Sequence, residues 1–364
     1  MTGNPSLAQW WSRFNDPLLS DLVAQALRAN TSVNSAQAAL QQARALRDVT
    51  AAALLPTVDS SASAQRSRAD GHSANRFKVG LDASWELDIF GANRSALAAS
   101  EATVLASAAS LGDVQVSIAA EVALSYITLR SSQALLAIAS DNLASQLETL
   151  QLTQWRLQAG LVTSLETEQA RAAAEQTRAQ LPTLQTRIEQ TGHALAVLTG
   201  QPPAALAMVL AAARPVPQAA DDLALSIPAE TLRQRPDVRA AEDQVTAAAA
   251  RVAQADAALA PNFQIGGSLG LNALTLGALT HGASVVSVLL AGVSLPVFDG
   301  GARLAQVRAQ QAALDQAYAD YQGTVLTALK DVEDALVALR GDRERLLSLQ
   351  RAAEAAGNLS LIHI

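Results

Sequence analysis

The chain has 364 residues, half of them hydrophobic, yet only 3% are aromatic and 16% charged; its formal net charge is −7 and it has no cysteine. No block of Lys or Arg stands out, which excludes the electrostatic footprint of a nucleic-acid binder, and the lack of cysteine excludes disulfides and thiolate metal sites. An Ala-rich, aromatic-poor composition suits long, thin, closely packed helices and suits a thick globular core poorly.

No signal peptide precedes Asn4-Pro5, so the N-terminus is expected to be mature or truncated. No uninterrupted apolar run reaches eighteen residues, so a transmembrane helix is not expected. A β-barrel, which needs only short alternating strands, stays open. The first long segment, 27–58, aligns without a gap on 232–263 at an offset of 205, with ten of 32 positions identical. Shared Ala explains part of this. It does not explain the common Leu-Arg start (Leu27/Leu232, Arg28/Arg233) or the common Leu-x-Pro end (Leu54/Leu259, Pro56/Pro261). The chain is therefore a tandem of two units, each predicted as helix, strand, loop, strand, helix.

In the first unit, 57–66 is predicted as a polar strand and 66–76, RSRADGHSANR, as a polar loop. Residues 77–90 then alternate strictly. Phe77, Val79, Leu81, Ala83, Trp85, Leu87 and Ile89 take one face; Lys78, Asp82, Glu86 and Asp88 take the other. Period two over fourteen residues fits a transmembrane barrel strand with lipid outside and water inside. On that reading Lys78, Asp82, Glu86 and Asp88 line the barrel lumen, and Trp85 and Phe77 face lipid or an interface. Gly91 turns the strand into a helix.

From Ser95 to about Gln158 there is no Pro and only Gly112. Leu97, Val104, Leu111 and Ile118 recur every seven residues, as do Val122, Leu129, Leu136, Leu143, Leu150 and Leu157 after a step of four. A helix of this length is roughly 95 Å long. Gly160 interrupts it, and a second helix is predicted from Thr163 or Ser164, with Ser164 and Thr167 as capping hydroxyls. Pro182 is expected to kink it, and Gly200-Gln-Pro-Pro203 ends it. Domain limits follow: a first repeat at 1–200, with a strand pair near 57–90 and a helical hairpin at 92–199; a Pro- and Ala-rich connector at 201–228; and a second repeat at 229–358.

In that repeat, Phe263, Ile265, Leu269 and Leu271 alternate, 272–281 is a loop, and 285–298 is the return strand, so the strand pair lies near 262–298. Gly300 and Gly301 turn the chain into a last long helix from 301. The second repeat is expected to be C-terminally truncated, since no partner helix returns. The last six residues, Leu359 to Ile364, break the Ala/Gln/Glu/Arg character before them. They are expected to be a non-native tail of the kind a translated transposon-end or adaptor sequence leaves. Four strands cannot close a barrel, and lipid tolerates no open sheet edge. Transmembrane strands here require several chains to share one barrel.

Five motifs in order resemble the outer membrane efflux protein family (TolC-like, and more closely its OprM/NodT branch). They are Trp10-Trp11-x-x-Phe14-x-Asp16-Pro17-x-Leu19; Trp85-Glu-Leu-Asp-Ile-Phe-Gly91; Arg156-x-x-x-Gly160-x-x-x-Ser164; Arg235-Pro-Asp-Val238; and Pro296-Val-Phe-Asp-Gly-Gly301. The resemblance implies a mainly α chain with a transmembrane β part. Three copies form a twelve-stranded barrel in the outer membrane, continued by an α-helical tunnel into the periplasm. It implies a passive channel of a tripartite efflux pump, powered by an inner-membrane pump through a periplasmic adaptor. Arg156, Gly160, Leu161, Val162 and Ser164 would form the adaptor-contacting tip. The branch usually carries a lipidated cysteine, which this sequence lacks.

Two other readings stay open at this level: a type I protein-secretion channel, and a periplasmic coiled-coil adaptor or structural protein. The second explains the heptads but not the repeated strand pairs. An enzyme is not expected, nor a cofactor. His72, His193, His281 and His363 have no ligand spacing, and no Gly-rich phosphate loop exists.

Overall fold

A computed structural model describes residues 7–70, 72–218 and 234–363. A 3-10 turn at Leu7–Phe14 leads into α1 (Pro17–Ala29) and α2 (Thr31–Ala52), the hairpin β1 (Thr57–Ala69) and β2 (His72–Leu87), and the helices α3 (Ala92–Gln158), α4 (Ser164–Leu198) and α5 (Ala207–Ala211). The second repeat holds α6 (Pro236–Ala257), β3 (Asn262–Ala273), β4 (Val285–Ser294) and α7 (Ala302–His363). The chain forms two units, Met1–Ala38 with Leu111–Ser226 and Ala39–Ser110 with Ile227–Ile364. Part of the connector predicted at 201–228 lies outside the described residues; its described part contains α5.

The first unit is built on a hydrophobic core. α1 starts where Asp16 accepts the amides of Leu18 and Leu19 at 2.9 and 3.1 Å, with Pro17 in the first turn. Its inner face, Leu19, Leu22, Val23 and Ala26, is buried against Ile118, Val122, Tyr126 and Leu129 of α3 and Leu195, Ala196 and Leu198 of α4. Trp10, Trp11 and Phe14 pack on this core. Asn30 joins three elements. Its amide bonds Ala26 O at 2.8 Å, its Oδ1 accepts the Ser32 amide at 2.8 Å, and its Nδ2 donates to Leu198 O at 2.9 Å.

In the second unit, four antiparallel strands form one sheet in the order β1-β2-β3-β4. α6 packs along α7 through small residues: Ala247, Ala248 and Ala255 on α6 and Ala328 on α7 are buried. At the start of α6 the Arg235 guanidinium meets Asp237 at 2.8 Å and Asp331 of α7 at 3.2 Å. The hydrogen bond to Arg235 holds the Asp237 carboxyl below its ordinary value.

Several sequence expectations need correction. The polar stretch 66–76 is mostly strand: Arg66 pairs with Asn75 and Ala69 with His72. The turn sits at Asp70, in the left-handed region with φ 49, within the Asp-Gly pair that favours two-residue hairpins. Pro182 lies inside α4, and the helix continues past it to Leu198. Capping hydroxyls do not start it: Thr163 is its N-cap without a side-chain bond, and the Thr167 hydroxyl is buried with no partner among the described residues. β4 stops at Ser294, short of 298. α3 contains an apolar stretch that by length and composition alone is enough to cross a bilayer. At 67 residues, however, the whole helix is about 100 Å long, three times a bilayer's hydrocarbon core.

Candidate functional site

The sheet carries opposite chemistry on its two faces. The register places Phe77, Val79, Leu81, Trp85 and Leu87 of β2 opposite Ala273, Leu271, Leu269, Ile265 and Phe263 of β3, so both strands present these side chains on one face. The other face holds Lys78 opposite Asn272, Asp82 opposite Ser268 and Glu86 opposite Gln264. β1 adds Asp59 directly opposite Asp82, Ser61, and Gln65 opposite Arg76 to this polar face. Ser61 donates to Asp82 at 3.1 Å. Asp59 and Arg76 were missed in the sequence because β1 lacks a clean alternation and Arg76 fell in the supposed loop. β4 is apolar on both faces: Val285, Leu289 and Val293 on one, Val286, Val288 and Leu290 on the other.

Of the predicted lumen set, Lys78, Asp82 and Glu86 share the polar face, and Asp88 does not. It lies one residue past β2, and its side chain is only 10% exposed. Its two oxygens accept the Asn93 and Arg94 amides at 3.0 and 2.9 Å, and Arg94 Nε pairs with it at 3.1 Å. Asp88 is thus a cap for α3. The second repeat builds the same device: Asp299 accepts the Gly301 and Arg303 amides at 2.8 and 3.1 Å. Those bonds, that from Arg303 first, hold its carboxyl below its ordinary value. Gly91, Gly300 and Gly301 make the turns with φ 84, 65 and 85, a region L side chains rarely enter. Trp85 donates from its indole N–H to Leu54 O at 3.0 Å, tying β2 to the end of α2.

At the hairpin of α3 and α4, Gly160 (φ 72) donates to Leu157 O at 2.9 Å and Leu161 to Arg156 O at 2.8 Å. This pair of bonds is a Schellman cap. Arg156, Leu161 and Ser164 are exposed and Val162 half-buried. Trp155 and Leu165, unmarked in the sequence, add 55% and 64% exposed apolar side chains beside Leu161 at 73%.

One further network emerges only from the structure. Arg130 is fully buried, without a carboxylate partner among the described residues. Its Nη1 donates to Gln133 Oε1 and to Ala212 O, both at 2.7 Å, and its guanidinium lies 4.9 Å from the centre of the Tyr126 ring. Tyr126 in turn donates to Asp16 at 2.8 Å. Burial is the main reason that the Tyr126 hydroxyl is pushed above its ordinary value. Among the described residues no group of acids and histidines is arranged to hold a metal.

A two-faced four-stranded sheet with two unpaired edges, joined through capped glycine turns to helices of 67 and 62 residues, defines a subunit of an outer-membrane channel. The comparisons agree. The profile of the outer membrane efflux protein family matches residues 22–201 and 227–359, and the chain belongs to this family. Outer membrane protein OprJ of Pseudomonas aeruginosa is 31% identical over 363 residues, covering 96% of this chain and 76% of that protein. The solved outer-membrane channel OprN superposes with a TM-score of 0.91 at 37% identity, over 96% of this chain and 80% of that one. The outer membrane protein VceC of Vibrio cholerae gives 0.85 at 25% identity, over 93% and 82%. Membership settles against the coiled-coil adaptor reading and places the chain in the outer membrane with its helices in the periplasm.

Proposed function

We propose that three copies of this chain close a twelve-stranded barrel and form the outer-membrane conduit of a tripartite pump that exports drugs or other small molecules. The observation that carries this reading is the sheet itself. β1 and β4 are free edges, one face is apolar, and four strands cannot close. Pairing the β1 edge of one copy with the β4 edge of the next satisfies both edges and turns the polar face inward. Lys78, Asp82 and Glu86, together with Asp59 and Arg76, then line the lumen, and the apolar face meets lipid. No residue needs to do chemistry: conduction is passive, and an inner-membrane pump supplies the energy. The exposed tip, Arg156, Gly160, Leu161, Val162 and Ser164 with Trp155 and Leu165, is the surface a periplasmic adaptor would grip.

Light scattering on the detergent-extracted protein tests the assembly. The expected mass is three chains, and the trimer should conduct ions in planar bilayers. A stable monomer with full β content would sink the shared barrel, because a monomer leaves both edges unpaired.

A further inference from the structure

We infer that Arg66 and Arg68, at the tip of the β1–β2 hairpin, bind phosphate groups of the anionic lipid in the leaflet that surrounds the outer rim of the barrel. The inference rests on the channel reading for the direction in which each face points. The register puts Arg66 opposite Asn75 and Arg68 opposite Ser73, in phase with Ala64 opposite Phe77 and Ala62 opposite Val79. Both arginines therefore belong to the apolar face, not to the polar face that holds Arg76 and Lys78.

Their height follows from strand geometry. The apolar face of β2 runs from Leu87 to Phe77. Ten steps at about 3.4 Å, tilted by about 40°, give a band roughly 26 Å tall, the height of the apolar belt on outer-membrane barrels. The α-helices leave from the Leu87 end, so the Phe77 end is the external one. Arg66 stands two residues beyond Ala64 and Arg68 four, about 5 and 10 Å above the belt along the membrane normal. The polar headgroup layer begins there and is about 5–8 Å deep. A guanidinium on a flexible stem reaches across this layer from either position.

Both side chains are exposed, and among the described residues neither makes an ion pair or hydrogen bond. Two cations on the lipid-facing side at headgroup level, against the single acid Asp70 in the hairpin tip 66–76, offer a bisphosphorylated lipid two charged contacts. Arginine suits phosphate because its planar fork donates two parallel bonds. Three copies would set three such pairs around the rim.

Native mass spectrometry of the intact trimer in a neutral detergent tests this, with bisphosphoryl lipid A as probe. The wild type should retain the lipid, and the double variant Arg66→Gln/Arg68→Gln should retain at least about tenfold less. The trimer should persist in both. Arg76→Gln/Lys78→Gln, on the opposite face, should bind as the wild type does. Excess inorganic phosphate should not displace the lipid if the leaflet is the source; displacement would overturn the lipid assignment. Equal retention by wild type and Arg66→Gln/Arg68→Gln, with the trimer intact, overturns this inference and leaves the channel reading standing. Loss confined to Arg76→Gln/Lys78→Gln would mean that the faces are inverted, and the lumen assignment would fall with it.

Discussion

Gly160 and Gly200 offer a paired test of what a helix cap costs when its surroundings differ. Both have φ 72. Both close Schellman motifs: Gly160 donates to Leu157 O and Leu161 to Arg156 O, while Gly200 donates to Val197 O and Gln201 to Ala196 O. At Gly160 an added Cβ would meet nothing within 4 Å. At Gly200 it would meet the backbone of Ala29, with O at 2.6 Å and C at 3.0 Å. Gly160→Ala should therefore carry only the left-handed penalty, about 1–2 kcal/mol, partly offset by lost freedom in the unfolded chain. Gly200→Ala carries the same penalty and also forces Ala29 away. That residue precedes Asn30, whose Nδ2 holds Leu198 O at 2.9 Å. Overpacking costs about 1–3 kcal/mol and the strained hydrogen bond about 1 kcal/mol, so the total is about 3–6 kcal/mol. Hydrogen exchange on the intact detergent-solubilised assembly reads this locally. Gly200→Ala should speed exchange in α1 and the end of α4 at least about a hundredfold, since 1.4 kcal/mol is a factor of ten. Gly160→Ala should change only the hairpin tip, about fivefold to tenfold. Equal effects from the two would show that positive φ alone decides, and would refute the role given to Ala29.

Tyr126→Phe leaves the second oxygen of Asp16 without its donor and should destabilise the first unit by about 1–2 kcal/mol; the loss should shrink in an Asp16→Ala background in a double-mutant cycle. Because burial raises the Tyr126 hydroxyl, the unfolded chain ionises first once pH passes the ordinary value of 10.0, so stability should fall above that pH in the wild type and fall less in Tyr126→Phe. Asp237 behaves oppositely: its carboxyl is held low by Arg235, so its contribution is present above the ordinary value of 3.8 and is lost as pH falls through the lowered one. Asp237→Asn should destabilise the start of α6 by about 1 kcal/mol, and Asp331→Asn, which removes the contact to α7, should cost less, because the Asp331 side chain is 48% exposed. Gly270→Ala would push a Cβ to 2.7 Å from Val79 O and 3.0 Å from Gly80 Cα. It should cost about 1–3 kcal/mol in the β2–β3 pairing, read as loss of heat-resistant assembly on gels; an unchanged assembly would show that the two strands separate there at little cost.

What the sequence made legible was whatever repeats with a period. The alternation of 77–87 gave β2, its faces and the lumen candidates Lys78, Asp82 and Glu86, and the heptads gave α3. Places where one residue serves two elements stayed hidden. Asp88 continued the alternation of β2 in sequence, but the strand ends one residue earlier and the carboxylate turns to the amides of α3. The stretch 66–76 looked like a loop because it is polar, yet a hairpin rising beyond a membrane belt must be polar. Its Asp70-Gly71 pair was the turn signal that composition obscured. Asp59 needed the register, which no single strand contains.

Arg130 shows why the remainder was out of reach. α3 and α7 begin at Ala92 and Ala302, and at that same offset Leu129-Arg130 recurs as Leu339-Arg340. The dipeptide is the same and the outcomes are opposite: Arg130 is fully buried and Arg340 exposed. What differs lies around it, first on the same helix. Tyr126, which offers its ring to Arg130, is matched by Leu336, and Gln133, which accepts from it, by Arg343. The carbonyls of Leu210 and Ala212 come from a segment about eighty residues downstream. A cation enters a core only where ring, amide and carbonyls are assembled to receive it. The Leu-Arg pair therefore does not decide burial by itself: Tyr126 and Gln133 one turn away on α3 and the distant carbonyls of Leu210 and Ala212 decide it together.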